Sequence, residues 1–234
     1  RRDLPRRRRV VDEAVRTAER LDLRANALRA TIELAETWAR MGDSAIAADA
    51  FADALAIARG LGDHASTAEI ALRQAAHALD RDDLTAVSDH LDRAKRARSL
   101  LGSAEPSPEI DFLSAVLGVR GLGDADGAEG RAMLALAALE RGPGVVAAAR
   151  SRIRLASALA RAGRYGVAEA LLDAAESALR PLQARPDLAR ADEVRRQIAL
   201  GTRDSLQTLA RHHDWLQQLT LALARERDLP RLLE

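Results

Sequence analysis

The sequence repeats with a period of about 40 residues. Turn-forming dipeptides occur at Gly42-Asp43, Asp82-Asp83, Gly123-Asp124 and Gly163-Arg164, so successive turns are separated by 40, 41 and 40 residues. Small or apolar residues recur five, nine and twelve residues after each turn. Periods of this length are typical of repeat architectures in which one structural unit is stacked many times. The sequence therefore predicts a tandem array.

Each period contains two segments whose apolar residues recur every three or four positions, which is the spacing of an amphipathic helix. Ala and Leu, which are strong helix formers, make up more than a third of the chain, whereas aromatic residues account for only 2%. One helical pair cannot bury its own apolar face, so neighbouring pairs must supply the core. We therefore predict an all-α fold, an α-solenoid of antiparallel helix pairs with a long C-terminal helix. The predicted helices are about 8–22, 27–41, 44–61, 65–80, 84–101, 108–120, 124–141, 145–162 and 165–182, the first belonging to a truncated preceding unit.

The overall composition excludes several classes of function. A net charge of +1, from 36 basic and 35 acidic residues, gives no general attraction for nucleic acid or anionic membranes. The absence of cysteine removes thiol catalysis and cysteine-based metal sites, and is typical of a reducing compartment. No nucleophile elbow, P-loop or dinucleotide fingerprint is present. We expect a cytoplasmic protein that is not an enzyme, needs no cofactor, and binds neither nucleic acid nor membrane directly.

Two short motifs invite a metal-binding interpretation, and both have a simpler one. His212-His213-Asp214 places adjacent histidines about 100° apart on a helix, so they do not share a face. Asp124-Ala-Asp126-Gly127 is similar to the start of a calcium loop, but Ala135 stands where the bidentate glutamate belongs. We expect a helix surface at the first motif, a capped turn at the second, and no metal site.

The repeated residues resemble the tetratricopeptide (TPR) pattern of alternating small and large side chains. The residues that carry the resemblance are Leu34-Ala35, Trp38, Ala47, Phe51 and Ala54, and again Leu155-Ala156, Leu159, Gly163, Tyr165, Ala168, Leu172 and Ala175. A period of about 40 exceeds the usual ~34 of that family. It is similar to the longer TPR-like repeats of large bacterial signalling and transcription regulators. The resemblance covers about residues 8–182 and implies a right-handed α-solenoid and a protein-interaction role.

The C-terminal part of the chain departs from the repeat. Residues 187–225 contain no proline and a single glycine, so one long helix and two helices broken near Gly201-Thr202 both fit. We divide the chain into a repeat array at 1–186 and a capping or linker helix region at 187–234. One interpretation of this region is a helical seam, because a 3–4 spacing suited to one links Leu206, Leu209, His213, Leu216, Thr220 and Leu223. The alternative is a capping helix that closes the last face of the array.

The last 19 residues, from Leu216 to Glu234, are similar to the helix that commonly leads into a GAF sensory domain. This resemblance implies that the protein continues past Glu234 and that the chain is a regulatory segment of a bacterial signal-transduction protein. Such a segment relays partner or ligand binding to an output domain outside the chain, for example in an enhancer-binding transcription activator or a kinase with a GAF domain. The alternative is the sensor repeat array of a large ATP-dependent LuxR-type transcription regulator.

In TPR-type stacks the first helix of each pair lines the concave side, and this resemblance locates a partner-binding face. The partner is a protein, a peptide or another domain of the same polypeptide, and self-association through the C-terminal helix is a further option. Ile32, Leu72, Leu113 and Ile153 recur as an apolar stripe, either as core between repeats or as a groove floor flanked by arginines. The predicted partner-binding residues are Arg29, Ile32, Glu36, Arg40, Glu69, Leu72, Asp80, Leu113, Leu117, Arg120, Arg150, Ile153, Ser157 and Arg161.

Overall fold

The computed structural model describes residue 13 and residues 23–102, 107–121, 125–142 and 144–228. This described part is helical and contains no strand. The predicted helix at about 8–22, apart from Glu13, and the predicted turn at Gly123-Asp124 lie outside it. The nine helices within it are α1 (Arg24–Met41), α2 (Ser44–Gly60), α3 (His64–Asp80), α4 (Leu84–Leu100), α5 (Pro108–Arg120), α6 (Ala125–Glu140), α7 (Val145–Arg161), α8 (Tyr165–Leu179) and α9 (Arg185–Asp228).

The same turn closes the first helix of three repeats. Gly42 after α1 and Gly163 after α7 adopt the left-handed conformation, with φ of 89° and 76°. The next backbone N–H returns to the helix in each case, over 3.1 Å from Asp43 to Trp38 and 2.9 Å from Arg164 to Leu159. After α3 the corresponding residue is Asp82, which adopts φ 66° although it is not glycine. The equivalent geometry confirms the repeat register at three of the four predicted turns.

The helices pack as consecutive pairs, α1 with α2, α3 with α4, α5 with α6 and α7 with α8. The odd-numbered helices α1, α3, α5, α7 and α9 also contact one another in series, and each even-numbered helix packs on the odd helix that follows it. Among the described residues, consecutive even-numbered helices make at most marginal contact. Because one row is packed more tightly than the other, the stack curves with the odd helices on its inner side. We call these helices the inner row and the even helices the outer row.

Small side chains fill the places where the outer row meets the inner row. Ala47, Val87, Ala128 and Ala168 stand at equivalent positions of four repeats and are all at most 1% exposed. A Cβ on Gly118 of α5 would lie 3.1 Å from the Cβ of Ala128 on α6, so these two helices approach closely. Close approach maximises the dispersion contacts of a core with few aromatic side chains.

The C-terminal region forms a single unbroken helix of 44 residues, α9. Gly201 lies within this helix, and its lack of a side chain leaves room for the hydroxyl group and ring of Tyr165 from α8. The first half of α9 caps the stack, because Ala191, Val194 and Ile198 are buried against α7 and α8. From residue 202 to residue 220 every residue is exposed.

An ionic contact also holds α9 to α8. The Glu176 carboxylate is almost buried and accepts hydrogen bonds from Arg195 of α9 (2.7 Å) and from Arg180 (2.9 Å). Burial alone would raise the pKa of Glu176, but the two guanidinium groups outweigh it and leave the pKa lowered. The described helices include none that is long and apolar enough to cross a membrane.

Helix α3 has a side-chain cap that α2 lacks. The Asp63 carboxylate accepts hydrogen bonds from the Ser66 hydroxyl (2.6 Å) and the Ser66 backbone N–H (2.9 Å), and these bonds lower its pKa. Asp43, at the same position before α2, makes no capping bond with its side chain. These two aspartates therefore form a matched pair for measuring the cap.

We expect Asp63→Ala to lower the free energy of unfolding by about 1 kcal/mol, the usual contribution of an N-cap. The control Asp43→Ala is expected to cost much less, because it removes no such bond. Urea denaturation monitored by circular dichroism measures both. Since the native pKa of Asp63 lies below its unfolded value, the pH-dependent part of its contribution is complete above about pH 4 and decreases as the pH falls further. Equal losses in the two variants would contradict the assigned cap.

Candidate interaction surface on the inner row

The predicted apolar stripe lies mostly within the core. Ile32, Leu113 and Ile153 are at most 5% exposed. Leu72 is partly buried and packs against buried residues of the hydrophobic core. Leu117 and Ser157 are also partly buried. Of the two interpretations of the stripe, its burial fits the core between repeats, so the surface available to a partner consists of charged side chains.

Three of the charged residues predicted on α1 and α3, namely Glu36, Arg40 and Glu69, form one ionic network around Arg73. Arg73 pairs with Glu36 of α1 and with Glu69 of α3, the latter at 2.5 Å, and Arg40 lies 3.5 Å from Glu36. Burial lowers the pKa of Arg73, and its Nε atom has no hydrogen-bond partner. Arg29, at the start of α1, is exposed. These residues lie together at the N-terminal end of the described stack.

A second group of charges links helices that are far apart in the sequence. Asp80, the last residue of α3, accepts two hydrogen bonds from Arg154 of α7, at 3.1 and 3.2 Å. Arg190 of α9 donates to the backbone oxygen of Asp80 at 3.0 Å. Helix α3 therefore touches α7 and α9 directly, and this contact across more than one repeat is a consequence of the curvature of the stack.

Asp82, two residues after Asp80, is the centre of a further set of ionic contacts. Its carboxylate pairs with Arg120 of α5 at 2.7 Å and with Arg161 of α7. Its left-handed backbone costs a non-glycine residue roughly 1–2 kcal/mol, less for aspartate than for most residues. The other three repeats have glycine at this position of the sequence, so we attribute the aspartate in this one to its two arginine partners.

A bidentate ion pair joins α7 to α9. Arg150 donates to both oxygens of Asp187, at 2.7 and 3.0 Å. This parallel arrangement of two hydrogen bonds is the strongest geometry available to an arginine and a carboxylate. Through Asp187 and Arg190, the first turns of α9 are tied to both α7 and α3.

The charged residues that surround Asp80, Asp82 and Asp187 form, together with these three aspartates, a set of eight that we call the inner-face cluster. It contains five guanidinium groups and three carboxylates, so arginine is in excess by two charges. The side chains at its edge remain partly accessible, for example Arg150 at 30% and Arg161 at 32%. An acidic group from outside can therefore reach the surplus arginines. The residues of the cluster are Asp80, Asp82, Arg120, Arg150, Arg154, Arg161, Asp187 and Arg190.

The structure brings four predicted residues into the cluster, namely Asp80, Arg120, Arg150 and Arg161, and leaves Glu36, Arg40 and Glu69 in the separate Arg73 network. Sequence reasoning missed Arg73, Asp82, Arg154, Asp187 and Arg190. The contacts of Asp80 with Arg154 and with Arg190 join positions 74 and 110 residues apart, and a pattern defined within one repeat does not contain them. The replacement of glycine by Asp82 at a repeated turn was the one signal available.

His77 lies on α3 beside the cluster. Its ring is 6.5 Å from that of Phe51, and its Nε2 atom is buried without a hydrogen-bond partner. Burial is the main reason that its pKa is lowered; Arg81 and Arg154 lower it further, and Asp80 opposes them. The native protein therefore holds this imidazole neutral in a place where the charged form is unfavourable.

We expect the stability of the protein to decrease as the pH falls from about 7.5 to about 5.5, partly through His77. Because its native pKa lies below the unfolded value of about 6.5, the unfolded chain binds the proton more readily in this range. His77→Gln should make the urea midpoint less dependent on pH. The control is His64→Gln, at the exposed start of α3. A pH dependence that is the same in wild type and His77→Gln would show that His77 does not contribute.

No group of three or more His, Asp or Glu side chains in the described ranges is arranged to hold a metal ion. His212 and His213 lie on the exposed second half of α9. The inner-face cluster thus offers hydrogen bonds and charge to a partner.

No protein-family model, curated protein or solved structure shows significant similarity to this chain.

Proposed function

We propose that this chain is a non-catalytic, TPR-like protein-interaction and regulatory segment of a cytoplasmic bacterial signal-transduction protein. Its right-handed solenoid binds an acidic segment of a partner protein, or of another domain of the same polypeptide, on the inner row. Binding is relayed through α9 to an output domain outside this chain, such as that of a transcription activator or kinase with a GAF domain. The TPR-like residue pattern and the paired helices support the first part of the proposal.

The observation that carries the proposal is the position of the inner-face cluster. The cluster supplies surplus arginines to a ligand and at the same time holds the first turns of α9 through Asp187 and Arg190. A ligand that pairs with Arg150 competes directly with Asp187. Occupation of the surface and the attachment of α9 are therefore linked by shared side chains.

The magnitudes allow this exchange to take place. Partly exposed ion pairs typically contribute 0–1 kcal/mol each, so replacing Asp187 by a ligand carboxylate costs little. A partner that presents several carboxylates gains from the surplus guanidinium groups as well. The buried contacts of Ala191, Val194 and Ile198 keep α9 folded against α7 and α8 during the exchange. The expected effect is a shift in the population of α9 orientations rather than unfolding.

A hexaglutamate peptide is a suitable probe for the inner-row surface. We expect the triple variant Arg150→Gln, Arg154→Gln and Arg161→Gln to bind it at least about ten-fold more weakly at low salt, because three pairs of roughly 0.5 kcal/mol are lost. The control makes the same change of charge on the outer row, at the exposed residues Arg59, Arg96 and Arg131. Titration calorimetry gives the affinities, and circular dichroism verifies that the helical content is unchanged. Equal weakening in both triple variants would refute a specific inner-row site.

The relay makes a separate prediction. Saturating hexaglutamate should speed amide hydrogen exchange in residues 185–190 of α9, because the peptide releases Asp187 and Arg190 from their partners. Exchange in α2, which has no contact with the cluster, serves as the control. Asp187→Asn should reproduce the faster exchange without peptide. If the peptide binds and leaves exchange in α9 unchanged, the surface binds ligands but does not relay them.

A further inference from the structure

One apolar face runs along α9 from Ala191 to Leu216. Ala191, Val194 and Ile198 in the first half, and Leu206, Leu209 and Leu216 in the second half, fall within an arc of roughly 120° at about 100° per residue. The first three are at most 1% exposed, because α7 and α8 cover them. The last three are 62%, 63% and 52% exposed. The face that packs in the stack thus continues uncovered beyond it.

Gly201 and Tyr165 mark the point at which α9 leaves the stack. Past this point the helix continues to Asp228, over a distance of about 40 Å at 1.5 Å per residue. An isolated helix is marginally stable in water, and most helical stability in proteins comes from packing of an apolar face. The opposite face is polar, with Gln207, Arg211 and Gln218 on it. The core-spaced leucines form a stripe that one partner helix can cover, with Leu219 (43% exposed) flanking it and Trp215 (57% exposed) outside it.

The polar residues within the stripe indicate which helix covers it. Leu206, Leu209, His213, Leu216 and Thr220 alternate in steps of three and four, as the core positions of a coiled coil do. In a parallel, in-register pair of identical helices, His213 meets His213 and Thr220 meets Thr220. A neutral imidazole and a hydroxyl group can each donate to and accept from a copy of themselves. Against an antiparallel copy or an apolar helix of another protein, both would be buried opposite leucine without a partner, which is unfavourable.

We infer that residues 202–228 form a parallel two-stranded coiled coil with the same segment of a second copy of this chain. The coiled coil begins where Tyr165 covers Gly201, and the two helical stacks lie at the same end of it. The interface is isologous, since the same face is used by both protomers. This inference depends on α9 alone and is independent of the proposed ligand of the inner row.

The test measures the mass of the full chain in solution. Analytical ultracentrifugation at roughly 100 µM should give about 50 kDa, twice the chain mass of 25.2 kDa. The double variant Leu209→Glu and Leu216→Glu should raise the dimer dissociation constant at least about 100-fold, because it places four carboxylates in the seam of the dimer. The control Gln207→Glu and Gln218→Glu adds the same charge on the opposite face and should remain dimeric. A wild-type monomer, a higher oligomer, or equal dissociation of both variants would overturn the inference.

Orientation is tested by cross-linking, which the absence of native cysteine makes simple. Leu206→Cys should form a disulfide-linked dimer under mild oxidation, because this position meets its own copy in a parallel pair. The control Gln207→Cys, on the outer side of the coiled coil, should cross-link much less. A dimer whose Leu206→Cys variant does not cross-link would be antiparallel or joined elsewhere, and either result would overturn the inference. All variants lie in the exposed half of α9, so circular dichroism should show an intact helical stack in each.

Discussion

The close contact between helices at small side chains is the constraint on which the rest of the structure depends. Ala47, Val87, Ala128 and Ala168 are buried where the two rows meet, and larger residues there would push the helices apart. Because the inner row is packed more tightly than the outer row, the stack curves. The curvature brings Asp80 of α3 to Arg154 of α7 and Arg190 of α9, so the charged surface is a product of the apolar packing.

Apolar contacts and ionic contacts make different contributions to this structure. The buried alanine and leucine side chains supply most of the stability, since each apolar contact removes surface from water. The ion pairs of the inner-face cluster are partly exposed and individually weak. They are directional, however, and they connect α9 to two other inner-row helices through Asp187 and Arg190. In the proposed relay, the weak ionic contacts adjust the orientation of α9, while the apolar contacts keep it attached.

Helix positions could be predicted from the sequence because the apolar spacing and the turns are local signals that recur in every repeat. Whether α9 is one helix or two could not be predicted from the sequence. A glycine in a helix interior costs about 1 kcal/mol, and the packing of Tyr165 against Gly201 is not a local signal. Half of the inner-face cluster was predictable from the repeat phase, for example Arg150 and Arg161. Arg154 and Arg190 were not, because their partners lie in other repeats. The repeat pattern left two interpretations of the apolar stripe open, a core between repeats and the floor of a groove. The burial of Ile32, Leu113 and Ile153 distinguishes them.

The meeting of Tyr165 with Gly201 has a mechanical consequence. The part of α9 beyond this point is one continuous helix of about 40 Å, so it can act as a lever whose fulcrum is the last place where the stack touches it. A tilt of about 10° at the fulcrum moves the far end by about 7 Å, which is more than one turn of helix. In the proposed relay, a side-chain rearrangement of an ångström or two among the arginines would thereby be enlarged to a displacement of several ångströms at the far end of α9.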